Sequence, residues 1–391
     1  MSFSVEPVAI TGMTLSNALG NGCDEVRGAL ARTESKLGPS PVDVPFTTAV
    51  GAIRNELPGL APELGPWSTR LTRIAQQLVN GLEGELAALR GRWQADRIAV
   101  ILGTSTAGAE TTEAAFQHYL ATDVLPDDYD LWRQHTYGAV LHVMRELTGA
   151  RGPGWVVSTA CTSSAKPLAT AQRLIGAGLI DAAIVGGIDT LCAMTLCGFN
   201  ALGALSSKPC RPFSKERDGI SIGEGGALLL LERGGEPIVW LDAVGESSDA
   251  YHISAPHPKG LGAQLAMQRA IERAGCTAKD VDHINAHGTG TPHNDSAEAN
   301  AISELFGNEI PVVSTKGYTG HTLGAAGATE AVLASFALTE GWIPASPGVA
   351  PVDDKIRIHV ATERTAGTFR RVLSNSFAFG GNNVSVLLRS A

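Results

Sequence analysis

The segment Val156-Val-Ser-Thr-Ala-Cys-Thr-Ser-Ser-Ala165 passes from a β-branched apolar run through small residues into the helix-forming run 166–177. A short apolar run that gives way to small residues and then to a helix reads as strand, sharp turn, helix. Pro167 bears on where the helix starts, because a proline costs about 3 kcal/mol inside a helix but is tolerated in its first turn. The helix is therefore expected to begin near Ser163 or Ser164, with Cys161 just ahead of its positive end. A helix N-terminus favours the thiolate, the reactive form of cysteine.

The same alternation recurs along the chain. Strand-like runs start at Val8, Ile98, Trp155, Ala182 and Leu228, and again at Val239, Val281, Pro311 and Val384. Helical stretches lie at 70–89, 166–177, 261–274, 296–305 and 325–338. The strand runs are apolar with little alternation, as expected when both faces are buried. This pattern gives an α/β fold with largely parallel pairing. The opening residues, from Met1 to Gly12, read as a strand. Two loosely similar halves are expected, 1–236 with the candidate nucleophile and 237–391 with two candidate histidines. Gly234-Gly-Glu-Pro237 is the junction. The acidic, aromatic run around 120–134 fits neither half and reads as an excursion, suited to a subunit contact.

At 391 residues with 44% hydrophobic and 18% charged content, the composition is that of a water-soluble globular protein. The net charge of −9 argues against nucleic acid as a partner. No apolar run reaches the ~18 residues of a membrane span, and no basic-then-apolar leader is evident. The six cysteines form no CxxC pair, and a reducing cytoplasm is the expected compartment. Five of them (Cys23, Cys192, Cys197, Cys210 and Cys276) read as small packing residues. An acidic partner would need a local basic patch. Arg211, Lys215 and Arg217 are candidates, and a solvated loop reads equally well.

Two further segments carry groups that a reactive thiol needs. Asn285-Ala-His-Gly-Thr-Gly-Thr-Pro292 and Lys316-Gly-Tyr-Thr-Gly-His321 each follow a short strand and set a histidine among glycines. One cysteine and two such histidines suggest nucleophilic acyl chemistry. Thr289 and Thr291 can hydrogen-bond an extended polar ligand or their own backbone. Lys316 at a strand end needs a partner, and Glu330, a lone carboxylate in an alanine-rich helix, reads as that partner. The turn in Asn375-Ser-Phe-Ala-Phe-Gly-Gly-Asn-Asn383 can aim a backbone N–H at a ligand oxygen. The histidines sit in separate loops with no HxxxH or HExxH spacing, so no metal is expected. No P-loop or GxGxxG motif supports a phosphate or dinucleotide cofactor.

Together these motifs resemble the β-ketoacyl-acyl-carrier-protein synthases, condensing enzymes of the thiolase superfamily. The likeness rests on the three segments above with Arg211-Pro-Phe-Ser-Lys-Glu-Arg-Asp-Gly219, Gly223-Glu-Gly225, Ser247-Ser-Asp-Ala-Tyr-His252, Ser314-Thr-Lys316 and Thr319-Gly-His-Thr-Leu-Gly-Ala-Ala-Gly327. It is dense from 160 onward and looser before. The resemblance implies a five-layered αβαβα thiolase fold, usually dimeric. It also implies an acyltransferase that joins a chain held on Cys161 to a malonyl unit by decarboxylative Claisen condensation. By the same likeness, the N–H groups of Cys161 and Phe379 would form an oxyanion hole, with Phe379 as a gate. His287 and His321 would hold the malonyl carbonyl, Lys316 would orient His321, and Glu330 would pair with Lys316. Thr289, Thr291, Thr106 and Phe377 would contact substrate. No cofactor of its own is implied, because the phosphopantetheine arm arrives on an acyl-carrier protein.

Departures from the family pattern bear on the pathway. Ala378 stands where a glycine is frequent, which restricts the backbone beside the gate. The turn Gly103-Thr-Ser-Thr-Ala-Gly108 is rich in hydroxyls. With the short chain, this resembles the ketosynthases of aryl-polyene pathways, which often pair with a chain-length-factor-like subunit. A homodimer, saturated fatty-acid elongation and a non-catalytic chain-measuring subunit are the alternatives. A thiolase, which needs a second cysteine near its C-terminus, is disfavoured by the lack of any cysteine after Cys276.

Overall fold

The computed structural model describes residues 5–391, and the part of the expected first strand at 1–4 lies outside them. The main sheet has twelve strands. In chain order they are β1 (Val8–Asn17), β2 (Gly20–Asn21), β3 (Ile98–Gly103), β4 (Gly154–Val157), β5 (Ala182–Asp189) and β6 (Gly225–Glu232), followed by β7 (Val239–Ser248), β8 (His283–Asn285), β9 (Pro311–Val313), β10 (His359–Val360), β11 (Arg371–Phe377) and β12 (Asn382–Ser390). Their order across the sheet is β10-β9-β8-β11-β12-β7-β1-β6-β5-β3-β4, with β2 paired to β1.

The two halves repeat one pairing scheme. Outward from β1, the pairs β1–β6 and β6–β5 are antiparallel, and β5–β3 and β3–β4 are parallel. Outward from β7, β7–β12 and β12–β11 are antiparallel, and β11–β8 and β8–β9 are parallel. The expected largely parallel sheet is thus mixed. The strand β11 went unread in the sequence, and its hairpin to β12 spans only residues 378–381, too few for a parallel crossover.

The helices used below are α1 (Arg70–Asn80), α2 (Ala109–Thr122), α3 (Tyr137–Thr148), α4 (Lys166–Gly176), α5 (Ala193–Ala201), α6 (Leu261–Arg273), α7 (Pro292–Phe306) and α8 (Ala326–Glu340). The helix expected over 70–89 is in fact two, broken at 81–82, and the first is capped at its N-terminus by Thr69 and Thr72 in a reciprocal box. The helices α4 and α8 form the middle layer. Here α8 packs on β1, β5 and β6 of one half and on β11 and β12 of the other, while α4 touches β3, β5 and β7. Every residue of α8 from Ala326 to Ala337 is buried, which explains a helix apolar on all sides. The helices α1 and α3 cover the outer face of the first half, and α6 and α7 that of the second. The result is helix, sheet, helix, sheet, helix.

Among the described residues no helix is long and apolar enough to cross a membrane. The segment around 120–134 stands out from the layers and exposes Leu120, Val124, Leu125, Leu131 and Trp132. Nearby, the edge strand β4 leaves Trp155 partly exposed.

Close packing sets several glycines. A Cβ on Gly103, at the end of β3, would lie 2.2 Å from the Ser163 carbonyl carbon. Because the obstacle is backbone, Gly103→Ala is expected to cost roughly 1–3 kcal/mol. It should lower the midpoint of thermal unfolding followed by circular dichroism.

Candidate active site

The turn carrying Cys161 leaves β4 and is braced by its own hydroxyls. Thr159 N–H donates to Ser163 Oγ (2.9 Å), Ser163 Oγ donates to the Ala160 carbonyl (2.6 Å), and Thr162 Oγ1 donates to that of Thr159 (2.8 Å). The sharpest point is Ala160, whose φ of 51° lies in the left-handed region. The helix α4 begins only at Lys166, two to three residues later than the proline reading implied, because residues 161–165 are used up in this turn. Cys161 is therefore not at the helix end. Burial dominates, and the thiol is pushed up to about 12, although the Lys316 ammonium and the backbone N–H groups of Cys161 and Phe379 act in the other direction. The expected resting thiolate is corrected to a resting thiol.

The N-terminus of α8 is docked on this turn. Ser164 N–H donates to the Gly324 carbonyl (2.9 Å), and Ala328 N–H donates to Ser164 Oγ (2.9 Å). A Cβ at Gly327 would lie 2.6 Å from that of Ala165, so this approach requires glycine. The loop before α8 delivers His321, whose Nε2 lies 3.0 Å from Cys161 Sγ. Its backbone is clamped to the 221–223 strand segment, with His321 N–H on the Ser221 carbonyl (2.7 Å) and Gly223 N–H on that of His321 (2.8 Å).

His287 follows β8, and its loop hangs on a buried carboxylate. Glu298 on α7 accepts from the N–H groups of His287 (2.8 Å) and Gly288 (2.7 Å) and from Asn375 Nδ2 (3.2 Å). One turn earlier Asp295 accepts from Phe213 N–H (2.8 Å) and Gly290 N–H (3.1 Å). Sequence reading missed both. The available signal was two carboxylates three apart on one face of an alanine-rich helix. Burial raises Glu298 to about 7 and also raises Asp295.

Lys316 opens a short helical turn, is fully buried and forms an ion pair with Glu330. Its Nζ lies 3.3 Å from Nδ1 of His287. The expectation that Lys316 orients His321 is corrected, because Lys316 reaches the other imidazole. An ammonium can only donate, so Nδ1 of His287 accepts and its Nε2 carries the proton. Nδ1 of His321 has no partner among the described residues, which also favours the proton on Nε2. Both histidines are held well below their usual range, first by burial and then by the Lys316 charge, so both are neutral donors at neutral pH. Their rings meet edge to face at 5.2 Å.

Separation in sequence did not keep these residues apart in space. Donor atoms of Cys161, His287 and His321 lie within 4.8 Å of one another. The Lys316 ammonium beside His287 opposes a metal cation there.

These three residues line a cavity of about 340 Å³ with Thr289, Phe377 and Phe379. Phe379 is 36% exposed and packs on Phe199 of α5 at 5.6 Å between ring centroids. Thr289 and Thr291 line the cavity and also bond locally. Their hydroxyls are 3.0 Å apart, and Thr291 caps α7 through Asn294 N–H. Thr106 is a correction. It is not among the cavity-lining residues, and its hydroxyl is 2.7 Å from Asp189. In the candidate basic patch Arg211 pairs with Glu216, Lys215 with Asp354 and Arg217 with Asp353.

Residues 5–236 match the family model "Beta-ketoacyl synthase, N-terminal domain", and residues 240–350 match "Beta-ketoacyl synthase, C-terminal domain". The chain belongs to the β-ketoacyl synthase family. It is 40% identical over 261 residues, 61% of each chain, to 3-oxoacyl-[acyl-carrier-protein] synthase 2 of Rhizobium meliloti (strain 1021). It is 32% identical to the Mycobacterium tuberculosis (strain ATCC 25618 / H37Rv) protein of the same name, over 97% of this chain and 96% of that one. Among solved structures it matches the ketosynthase ApeO, solved in complex with its chain length factor ApeC from Xenorhabdus doucetiae. There the TM-score is 0.93 at 36% identity, covering 99% and 98% of the two chains. The five-layered αβαβα arrangement is the thiolase fold of these condensing enzymes, and the chain is a β-ketoacyl-acyl-carrier-protein synthase.

A thiol pushed up to about 12 makes a checkable statement about Cys161. Its alkylation by iodoacetamide, followed by peptide mass spectrometry, should rise about tenfold per pH unit through pH 7–10. An unperturbed thiol would level off near its usual ~8.5.

Proposed function

We propose that the protein extends an acyl chain held on Cys161 with malonyl-acyl-carrier protein, and that the chain is a polyene or aryl-polyene. The observation that carries the chemistry is the 3.0 Å contact between His321 Nε2 and Cys161 Sγ in a cavity that also holds His287. Sulfur attacks the acyl thioester, the N–H groups of Cys161 and Phe379 stabilise the oxyanion, and the thiol proton ends on the departing carrier thiol. His321 Nε2–H faces the sulfur and stabilises negative charge as it forms there. Malonyl-carrier then enters, CO₂ leaves, and the enolate oxygen takes hydrogen bonds from the Nε2–H groups of His287 and His321. The enolate carbon attacks the acyl thioester and expels the Cys161 thiolate. Lys316 and Glu330 serve by fixing the tautomer of His287. Thr289 and Thr291 hold the phosphopantetheine arm, Phe377 flanks it beside His287, and Phe379 gates the acyl chain. The two halves, 1–236 and 237–391, supply the nucleophile and the histidines.

The chain type rests on the 36% identity to a ketosynthase solved in complex with its chain length factor. The hydroxyl-rich turn no longer contributes to it, because the Thr106 hydroxyl is spent on Asp189. In this reading a second chain of the same fold, a chain-length-factor-like subunit or another copy, covers the apolar face around Trp132 and Trp155. Elongation of saturated chains uses the same residues and is the second reading, favoured by the 32% identity to the mycobacterial synthase over nearly the whole chain. The intact thiol–histidine pair disfavours a non-catalytic measuring subunit.

Intact-protein mass spectrometry after incubation with saturated, polyenoyl and aryl-polyenoyl carrier proteins tests this reading. An acyl adduct with only the unsaturated chains, absent in Cys161→Ala, is expected. Loading by saturated chains alone would mean ordinary fatty-acid elongation. His287→Ala should slow malonyl decarboxylation about 10²–10³-fold and spare acylation of Cys161. His321→Ala should slow both, because His321 touches the sulfur as well as the enolate site. Equal losses in His287→Ala would contradict the assigned roles.

A further inference from the structure

We propose that Asp189 is a positioning residue for the Cys161–His321 pair, an inference that rests on the condensing-enzyme reading above. Asp189 ends β5 and is fully buried. Its Oδ1 accepts from Thr104 Oγ1 (2.7 Å), Thr106 Oγ1 (2.7 Å), Thr106 N–H (2.8 Å) and Ser105 N–H (2.9 Å). Its Oδ2 accepts from Ser105 N–H and Ser105 Oγ, each at 3.1 Å, and from Ala325 N–H at 3.1 Å. An ionised carboxylate can accept at all of these contacts at once, and the donors partly offset the burial that pushes the carboxyl up.

This anchor joins elements that sequence keeps far apart. Ala325 stands at the start of α8, and the neighbouring Gly324 accepts from Ser164 in the Cys161 turn (2.9 Å). A Cβ on Gly324 would lie 2.6 Å from Asp189 Oδ2 and 3.1 Å from Ser163 Cβ. Asp189 thus holds the loop that delivers His321 against the turn that carries the sulfur. The His287 loop hangs separately on Glu298. The hydroxyls of 104–106 serve this anchor and not the acyl chain.

Asp189→Asn is expected to loosen the Cys161–His321 pair and to leave the His287 loop in place. An asparagine of equal size brings an NH₂ group into a site built from donors. The hydroxyls can turn to accept, but the N–H groups of Thr106 and Ala325 cannot. Acylation of Cys161, read by intact mass, should fall roughly tenfold or more, and malonyl decarboxylation should fall too, by less, because His287 still holds the enolate oxygen. Thr106→Val, which removes one hydroxyl and keeps the N–H, should give a smaller loss in acylation with no change in the preferred chain. Amide hydrogen exchange supplies a readout that needs no substrate. In Asp189→Asn it should quicken in 104–107, 161–165 and 323–328, and stay unchanged in 285–291. Unchanged acylation, or exchange that quickens uniformly across all four segments, would overturn the proposal. Wild-type protein that neither acylates nor decarboxylates would instead defeat the condensing reading, with the exchange pattern still deciding the role of Asp189.

Discussion

The close docking of the start of α8 on the Cys161 turn is the contact on which the site depends. Gly324 and Gly327 bring backbone against backbone, with Ser164 bonded on both sides of the junction. Among the helices of the described residues α8 packs most extensively against strands of both halves, and it carries Glu330. Small side chains at its N-terminus therefore do two things: they let the middle layer close, and they set His321 3.0 Å from the sulfur. A side chain at Gly324 would collide with Asp189 and Ser105, and one at Gly327 with Ala165.

Buried charge is the second constraint. Within the interior lie Lys316 with Glu330, Glu298, Asp295 and Asp189. Each has specific partners, although one oxygen of Glu330 is left without any among the described residues, and each ties a loop rather than a strand. Removing one partner of a buried pair costs about 3–5 kcal/mol, whereas apolar replacement of both can be neutral. These groups are therefore explained by what they position. Lys316 selects the tautomer of His287, Glu298 holds the His287 backbone, and Asp189 holds the approach to His321. The same burial keeps the thiol and both imidazoles neutral at rest, so charge develops only as the reaction proceeds.

Much of the architecture was legible in the sequence. The short apolar strands at Ile98, Ala182 and Val239 announce themselves by composition, and the alanine-rich helix at 325–338 by its run of small apolar residues. The strand β11 escaped because Arg371-Val-Leu-Ser-Asn-Ser-Phe377 mixes polar with apolar residues. Its serines and asparagine turn inward to bond other buried groups, such as Ser385 on Asn375 at 2.8 Å. The antiparallel pairs at the centre escaped for a similar reason, since alternation of strands and helices reports composition and not direction.

Sequence alone determined the α/β class, the reactive cysteine and the two glycine-flanked histidines, because these depend on local pattern and on residue chemistry. Only the tertiary structure decided which imidazole faces the sulfur, which one Lys316 touches, and where the hydroxyls of 104–106 are spent. Local pattern can show that a carboxylate stands in an alanine-rich helix or at a strand end. It cannot show which distant donors will meet it. Partners such as Asp189 and Ala325 are 136 residues apart and come together only when the layers close.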